Sequence, residues 1–158
     1  MRRESNIVGR DIVGVSLFIV NKQGTLVYQK DFTHSSLSAN DKIRMASMFY
    51  SLSAIASETS PTEGKNTQFG FLQPTGILSL DANQFRLQCF PTLTGMKIFV
   101  IAPTGTRDLS DLLQQVYIAY SDFVLKDIFH DLDMPIRSPR FESSISNIFS
   151  EFTSGRVV

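Results

Sequence analysis

The stretch Lys42-Ile-Arg-Met-Ala-Ser-Met-Phe-Tyr-Ser-Leu-Ser-Ala-Ile-Ala-Ser-Glu58 decides how the rest of the chain is read. It contains no Gly or Pro, and no charge between Arg44 and Glu58. Wound at about 3.6 residues per turn, it places Met45, Met48, Phe49, Leu52, Ile55 and Ala56 on one face. That face is apolar enough to cover a sheet. Ile43, Ala46, Tyr50, Ser53, Ala54 and Ser57 fall opposite. A helix face turned to water ordinarily carries Lys, Glu or Arg, and this one carries none. The second face is therefore predicted to be covered too, by this chain or by another. Ser38 stands before the helix as N-cap, with Asp41 three residues on as a weak capping box.

Outward from the helix, the flanking runs read as strands. Residues 12–20 are β-rich and apolar on both faces, so this strand is expected at the centre of a sheet. Asn21-Lys22-Gln23-Gly24 is a tight turn, and 25–31 return as the hairpin partner. Residues 32–39 lead into the helix, and 59–75 form a polar loop with Pro61, Gly64, Gly70 and Pro74. Strands are expected at 76–80, 84–90 and 96–102. In the second of these, Phe85, Leu87 and Cys89 alternate with Gln84, Arg86 and Gln88, so one face is wetter. A second helix, about 109–127, carries a stripe of Leu109, Leu112, Leu113, Val116, Tyr117, Tyr120, Phe123 and Val124. Residues 128–137 show no periodicity. Ser138-Pro139 opens a third helix, as N-cap and first-turn residue, with a stripe of Phe141, Ile145, Ile148, Phe149 and Phe152. The order is β-β-α-β-β-β-α-α. An antiparallel α+β sheet with helices on both faces satisfies these stripes.

Composition sets the outer bounds. The chain has 158 residues, 42% of them hydrophobic and 19% charged, with formal net charge zero. That fits one domain with an ample core, here 12–152, between a flexible tail at 1–11 and a C-terminal tail at 153–158. Zero net charge and the lack of a basic stripe argue against nucleic acid. The single cysteine, Cys89, excludes an internal disulfide framework and points to a reducing compartment. Arg2, Arg3 and Arg10 before the apolar run at 12–20 resemble a signal peptide. Asp11 abuts the run and no small-residue cleavage site follows, so the strand reading is preferred.

Few residues suggest chemistry. His34 sits among Thr33, Ser35 and Ser36 near Asp31, but sequence neighbours on a polar loop do not supply the convergent geometry of a Ser-His-Asp site. His130 lies between Asp127, Asp131 and Asp133, which reads as a solvated loop before it reads as a metal cluster. Cys89 reads as a small apolar strand residue. No phosphate-binding glycine loop or nucleophile elbow occurs. No catalytic, cofactor or metal site is expected.

Five motifs carry a family resemblance. Phe18-Ile-Val-Asn-Lys-Gln-Gly-Thr-Leu-Val-Tyr-Gln29 is similar to the opening hairpin of the synbindin family of longin-like small TRAPP subunits. Met45-Ala-Ser-Met-Phe49 resembles that family's first helix, and Thr92-Leu-Thr-Gly-Met-Lys97 its Thr-Leu-Thr-Gly turn. Tyr120-Ser-Asp-Phe-Val-Leu-Lys-Asp127 and Met134-Pro-Ile-Arg137 resemble its second helix and the segment after it. Together these span 16 to about 141. Two departures stand out. Animal members carry a PDZ-like insertion after the first hairpin, where this chain has only residues 32–39, and residues 1–11 match nothing in the family.

The resemblance implies a longin-like (profilin-like) sheet with one helix on one face and two on the other. It also implies a non-catalytic scaffold role in the TRAPP tethering complex, which promotes guanine nucleotide exchange on a Rab-family GTPase between endoplasmic reticulum and Golgi. The implied partners are a sister longin TRAPP subunit, as a heterodimer, a Bet3-type subunit, and the Rab GTPase through the assembled complex. Contact with cis-Golgi and vesicle membranes would be peripheral. Under this resemblance Ile43, Ala46, Tyr50 and Ala54 become partner-binding candidates on the first helix, and Met134 and Arg137 candidates after the second. For the last two, a loop closing over the core with Met134 and Ile136 inward stays open. So does another longin-type role, as an adaptor small chain or a SNARE-binding regulator.

Overall fold

A computed structural model describes residues 14–33, 37–59 and 76–154. The element order is β1 Ser16–Val20, β2 Leu26–Asp31, α1 Ala39–Thr59, β3 Ser79–Asp81, β4 Phe85–Pro91, β5 Lys97–Pro103, α2 Ser110–Tyr120, a π-helical turn Ser121–Leu125, and α3 Pro139–Thr153. The strands form one antiparallel sheet in the order β2-β1-β5-β4-β3. The first strand lies at the centre, as expected, beside the last, and both are buried on two faces.

The sheet separates two cores. Leu17, Ile19, Ile98, Val100 and Ala102 point to the side of α2 and α3, where they meet Leu113, Val116, Tyr120, Phe141 and Ile145. Phe18, Val20, Leu87, Cys89, Phe99 and Ile101 point to the other side, where Ala46 and Phe49 of α1 cover them. Strand side chains alternate between faces, so one helix layer cannot bury the doubly apolar β1 and β5. One helix on one face and two on the other is the arrangement that does. The longin-like α+β expectation holds.

Two local devices fix the hairpin. Asn21 is buried, and its side-chain oxygen accepts from the amides of Gln23 (3.0 Å) and Thr25 (2.9 Å). Gly24 has φ +89°, and a Cβ there would lie 2.7 Å from the Tyr50 ring. Both facts reserve the position for glycine. In the ladder Ile19 faces Tyr28 while Val20 faces Leu26, so Val27 is an extra residue that bulges the edge strand. Its carbonyl accepts from the amide of Ile136 at 2.9 Å. The bulge thus ties the segment before α3 to the sheet.

The helix ends follow the expected chemistry. Ser38 Oγ accepts from the Asp41 amide (3.2 Å) and the Asp41 carboxylate accepts from Ser38 (2.7 Å), a reciprocal capping box. These bonds hold the Asp41 carboxyl below its ordinary range. Ser138 accepts from the Phe141 amide, with Pro139 in the first turn. The second helix differs from expectation in its last turn. It is regular only to Tyr120 and then widens into the π-turn, which keeps both Tyr120 and Val124 buried.

The first strand begins four residues later than expected, at Ser16, and the other strand boundaries move by at most three residues. The third strand is Ser79–Asp81 because Gly76 and Ile77 are engaged elsewhere: the Ile77 amide donates to Ser53 Oγ at 3.3 Å. The expected tail at 1–11, residues 12–13 of the expected first strand, residues 60–75 of the expected loop, residues 155–158 of the expected C-terminal tail, and His34 lie outside the described residues.

Candidate functional site: two exposed apolar surfaces

The central helix is the largest correction to the sequence reading. Met48, Leu52 and Ile55, assigned above to the sheet, are exposed at 63%, 44% and 58%. Ala46 and Ser53, assigned to the opposite face, are buried against the chain's own sheet. The helix is therefore turned by about a quarter of a revolution from the expected orientation; Phe49, with Met45 beside it, still faces the sheet as expected. The reason is steric. The sheet surface below α1 is paved with Phe18 and Phe99, stacked at 5.0 Å between centroids. Small residues let the helix axis approach such a surface, and Phe49 alone wedges in, 4.5 Å from the Phe99 ring centre. Serine hydroxyls do not spoil this face, because each finds a partner. Ser57 Oγ donates to the Ser53 carbonyl at 3.0 Å, and Ser53 Oγ accepts from Ile77.

The six sequence-predicted contact residues are thereby divided. Ala46 is withdrawn from the candidate surface, since 1% exposure inside its own core leaves nothing to touch. Tyr50 is half-buried, packs on Gly24, and donates to the Lys22 carbonyl at 2.7 Å, so it serves the hairpin. Ile43 and Ala54 are exposed. Met134 is 58% exposed and Arg137 is exposed, while Ile136 between them is buried. The loop closes over the core through Ile136 alone, and Met134 points outward rather than in.

Two apolar surfaces result. The first is the outer side of α1, with Met48, Leu52, Ile55 and, on its flank, Ile43 and Ala54. No acid or base interrupts it between Arg44 and Glu58. The second lies between the π-turn and α3, where Ile128, Phe129, Leu132 and Met134 are exposed. Residues 128–129 carried a signal that periodicity does not read: two adjacent large apolar residues in an otherwise acidic, irregular stretch.

Among the described residues, no group of three or more His, Cys, Asp or Glu side chains converges to hold a metal ion. Cys89 is buried beneath α1, and burial pushes its thiol up to about 12. A thiol in that state is a packing group and not a nucleophile. A cleft between α2 and α3 is lined by Arg107, Asp111, Leu112, Ile148 and Phe152. There the Arg107 guanidinium lies over the Phe152 ring, 4.1 Å from its centroid, and donates to the Phe152 carbonyl. These groups are mutually engaged and offer no nucleophile–base pair. No helix among the described residues is long and apolar enough to cross a membrane.

A sheet of this order, with a helix whose large apolar residues point away from it, defines a longin-like module whose exposed chemistry is contact. Comparison with known proteins agrees. The profile of the Sybindin-like family matches residues 15–152, and the chain belongs to that family. It is 42% identical over 134 residues to "Trafficking protein particle complex subunit 4" of Dictyostelium discoideum, covering 84% of this chain and 93% of that one. The Homo sapiens protein of the same name is 40% identical over 114 residues, 72% of this chain and 48% of that one. The aligned region thus spans about half the length of the mammalian relative. A lower likeness, 22% over 143 residues, links the chain to "Trafficking protein particle complex subunit 1" of Dictyostelium discoideum. These relatives identify the chain as kin to subunits of a trafficking complex.

Proposed function

We propose that this chain is a non-catalytic scaffold subunit of a TRAPP-type tethering complex. In this reading it pairs with a sister longin subunit and touches a Bet3-type subunit. The pair forms part of the platform that promotes nucleotide exchange on a Rab-family GTPase in transport between endoplasmic reticulum and Golgi. Residues 12–152 act as one longin-like domain, and contact with cis-Golgi and vesicle membranes is peripheral, through the complex. The observation that carries the reading is the uncharged outer face of α1, on which Met48, Leu52 and Ile55 stand in water. A stripe at i, i+4 and i+7 is the form a helix takes when another surface is to lie along it. Ile43 and Ala54 extend the face; Met134 and Arg137 belong to the second surface.

Exchange factors open a GTPase by binding its nucleotide-free state more tightly than the loaded one, which requires differential affinity and no covalent step. One helix and one sheet edge fall short of the ~1,600 Å² of a standard stable interface. The isolated chain should therefore give negligible release of a fluorescent GDP analogue from a Rab of the early secretory pathway. The reconstituted small-subunit core should accelerate release, and Leu52→Asp should abolish that gain by preventing assembly. Full exchange activity from the chain alone would refute the shared platform. A reconstituted core that contains the chain and accelerates nothing would refute the exchange role.

A further inference from the structure

The surface between the π-turn and α3 is built differently from the α1 face. Phe129 is 91% exposed and Ile128 is 88% exposed, the two most exposed large apolar side chains among the described residues. The backbone beneath them is held by a series of hydrogen bonds. Asp127 donates its amide to Val124 (3.2 Å), and its carboxylate accepts from the Phe129 amide (3.0 Å). The Asp131 carboxylate accepts from the Asp133 amide (3.0 Å), and Met134 donates back to the Asp131 carbonyl (3.0 Å). Asp133 in turn accepts from Asn21 Nδ2 (3.2 Å), and Ile136 is bonded to the bulged Val27. Two successive aspartate turns thus hold an isoleucine and a phenylalanine in water. Such preorganisation lowers the ordering cost of docking.

Charge decides what can cover this surface. Asp122 is paired with Lys126 at 2.8 Å. Asp127, Asp131 and Asp133 are exposed, and among the described residues none has a cation within ion-pair distance. Against these three carboxylates the surface carries one cation, the exposed Arg137, so it stays net acidic and disfavours anionic lipid, whose surface potential repels it. It also disfavours a second copy, because a two-fold contact would set like charges face to face. A surface of opposite sign with an apolar pocket fits.

We propose that Ile128 and Phe129 anchor a second docking surface, separate from the α1 face, for a partner subunit that presents an apolar pocket rimmed by Lys or Arg. This rests on the reading of the chain as an assembly subunit, and it assigns the contact that α1 does not make. Phe129 fills the pocket. The three carboxylates steer the encounter and fix the register.

The test uses the full chain with recombinant TRAPP small subunits as probes, each titrated alone at low and high salt. Phe129→Ser should leave the circular dichroism spectrum unchanged, since the side chain is in water. It should weaken one subunit by about 30-fold or more, the behaviour of an aromatic anchor, and leave the subunit lost by Leu52→Asp unaffected. Replacing Asp127, Asp131 and Asp133 together by Asn keeps the acceptor oxygens of the turns and removes the charge. That variant should slow association with the same subunit and flatten its salt dependence. Unchanged affinity of every subunit for Phe129→Ser overturns the inference and leaves the α1 reading intact. A wild-type chain that floats with phosphatidylserine vesicles, or self-associates in sedimentation, and loses that property in Phe129→Ser, overturns it in favour of lipid or a second copy. Failure of every subunit to bind the wild-type chain overturns the assembly reading and the inference with it.

Discussion

Ala46→Arg should unfold the chain, and Ile55→Arg should not. The two positions lie on opposite sides of α1, so the pair tests the helix orientation directly. Ala46 is 1% exposed in the core that contains Phe18, Val20, Leu87 and Phe99. Overpacking such a site costs about 1–3 kcal/mol. A desolvated, unpaired charge adds several kcal/mol more. The sum approaches the whole stability of a typical domain, about 5–15 kcal/mol. At Ile55, 58% exposed, most of the side chain already meets water. Arginine has good helix propensity, so the change should stay within about 1 kcal/mol. Urea unfolding followed by circular dichroism reads both midpoints. Ala46→Arg should show no folded baseline, or a midpoint reduced by more than half, while Ile55→Arg keeps the wild-type midpoint. A folded Ala46→Arg beside a collapsed Ile55→Arg would mean that α1 presents Met48, Leu52 and Ile55 to the sheet, and would refute the orientation with Ala46 inward.

Three further outcomes follow from specific contacts. Glu142 accepts from Tyr28 (2.7 Å) and is bridged to Lys30, and these bonds hold its carboxyl below the ordinary value of about 4.5. Its contribution to stability is thus present above that value and lost as pH falls through the lower folded one. The gap in urea midpoint between wild type and Glu142→Gln should close on acidification, and a gap independent of pH would contradict this. Cys89, with its thiol raised to about 12, should react with a maleimide at neutral pH only as fast as the chain unfolds; rapid labelling of the native state would show the site to be open. Ser38→Ala removes the capping-box oxygen and should cost ~0.5–2 kcal/mol by the same urea assay.

Most of the fold was legible because its signals are local or strictly periodic. Strand alternation at Phe85, Leu87 and Cys89 set that face toward α1, and the doubly apolar β1 and β5 could only be central. The caps at Ser38 and Ser138 were readable from residue types alone. Two features were not legible. The Val27 bulge depends on where Ile136 needs an acceptor, a contact more than a hundred residues away in the chain. The π-turn at Ser121–Leu125 resolves a conflict between burying Tyr120 and burying Val124, which a uniform helical period cannot express.

The candidate site was misread for a reason that is itself informative. Hydrophobicity ranks Met48, Leu52 and Ile55 above Ala46 and Ser53, so a rule based on apolar content turns the wrong side of α1 inward. What the sheet selects is distance of approach. Over the stacked pair Phe18–Phe99, a helix with Ala46 and Ser53 below its axis can lie close and let Phe49 pack against the Phe99 ring. The same choice leaves Ile43, Met48, Leu52 and Ile55 exposed, while Met45 packs at the edge of the core. A chain that acted alone would gain from exchanging the two faces' polarity, with Lys or Glu outward at 48, 52 and 55. That it instead keeps these positions apolar, and holds Ile128 and Phe129 in water on a hydrogen-bonded loop, is what the proposed assembly role accounts for: in that reading both surfaces complete their burial against other chains.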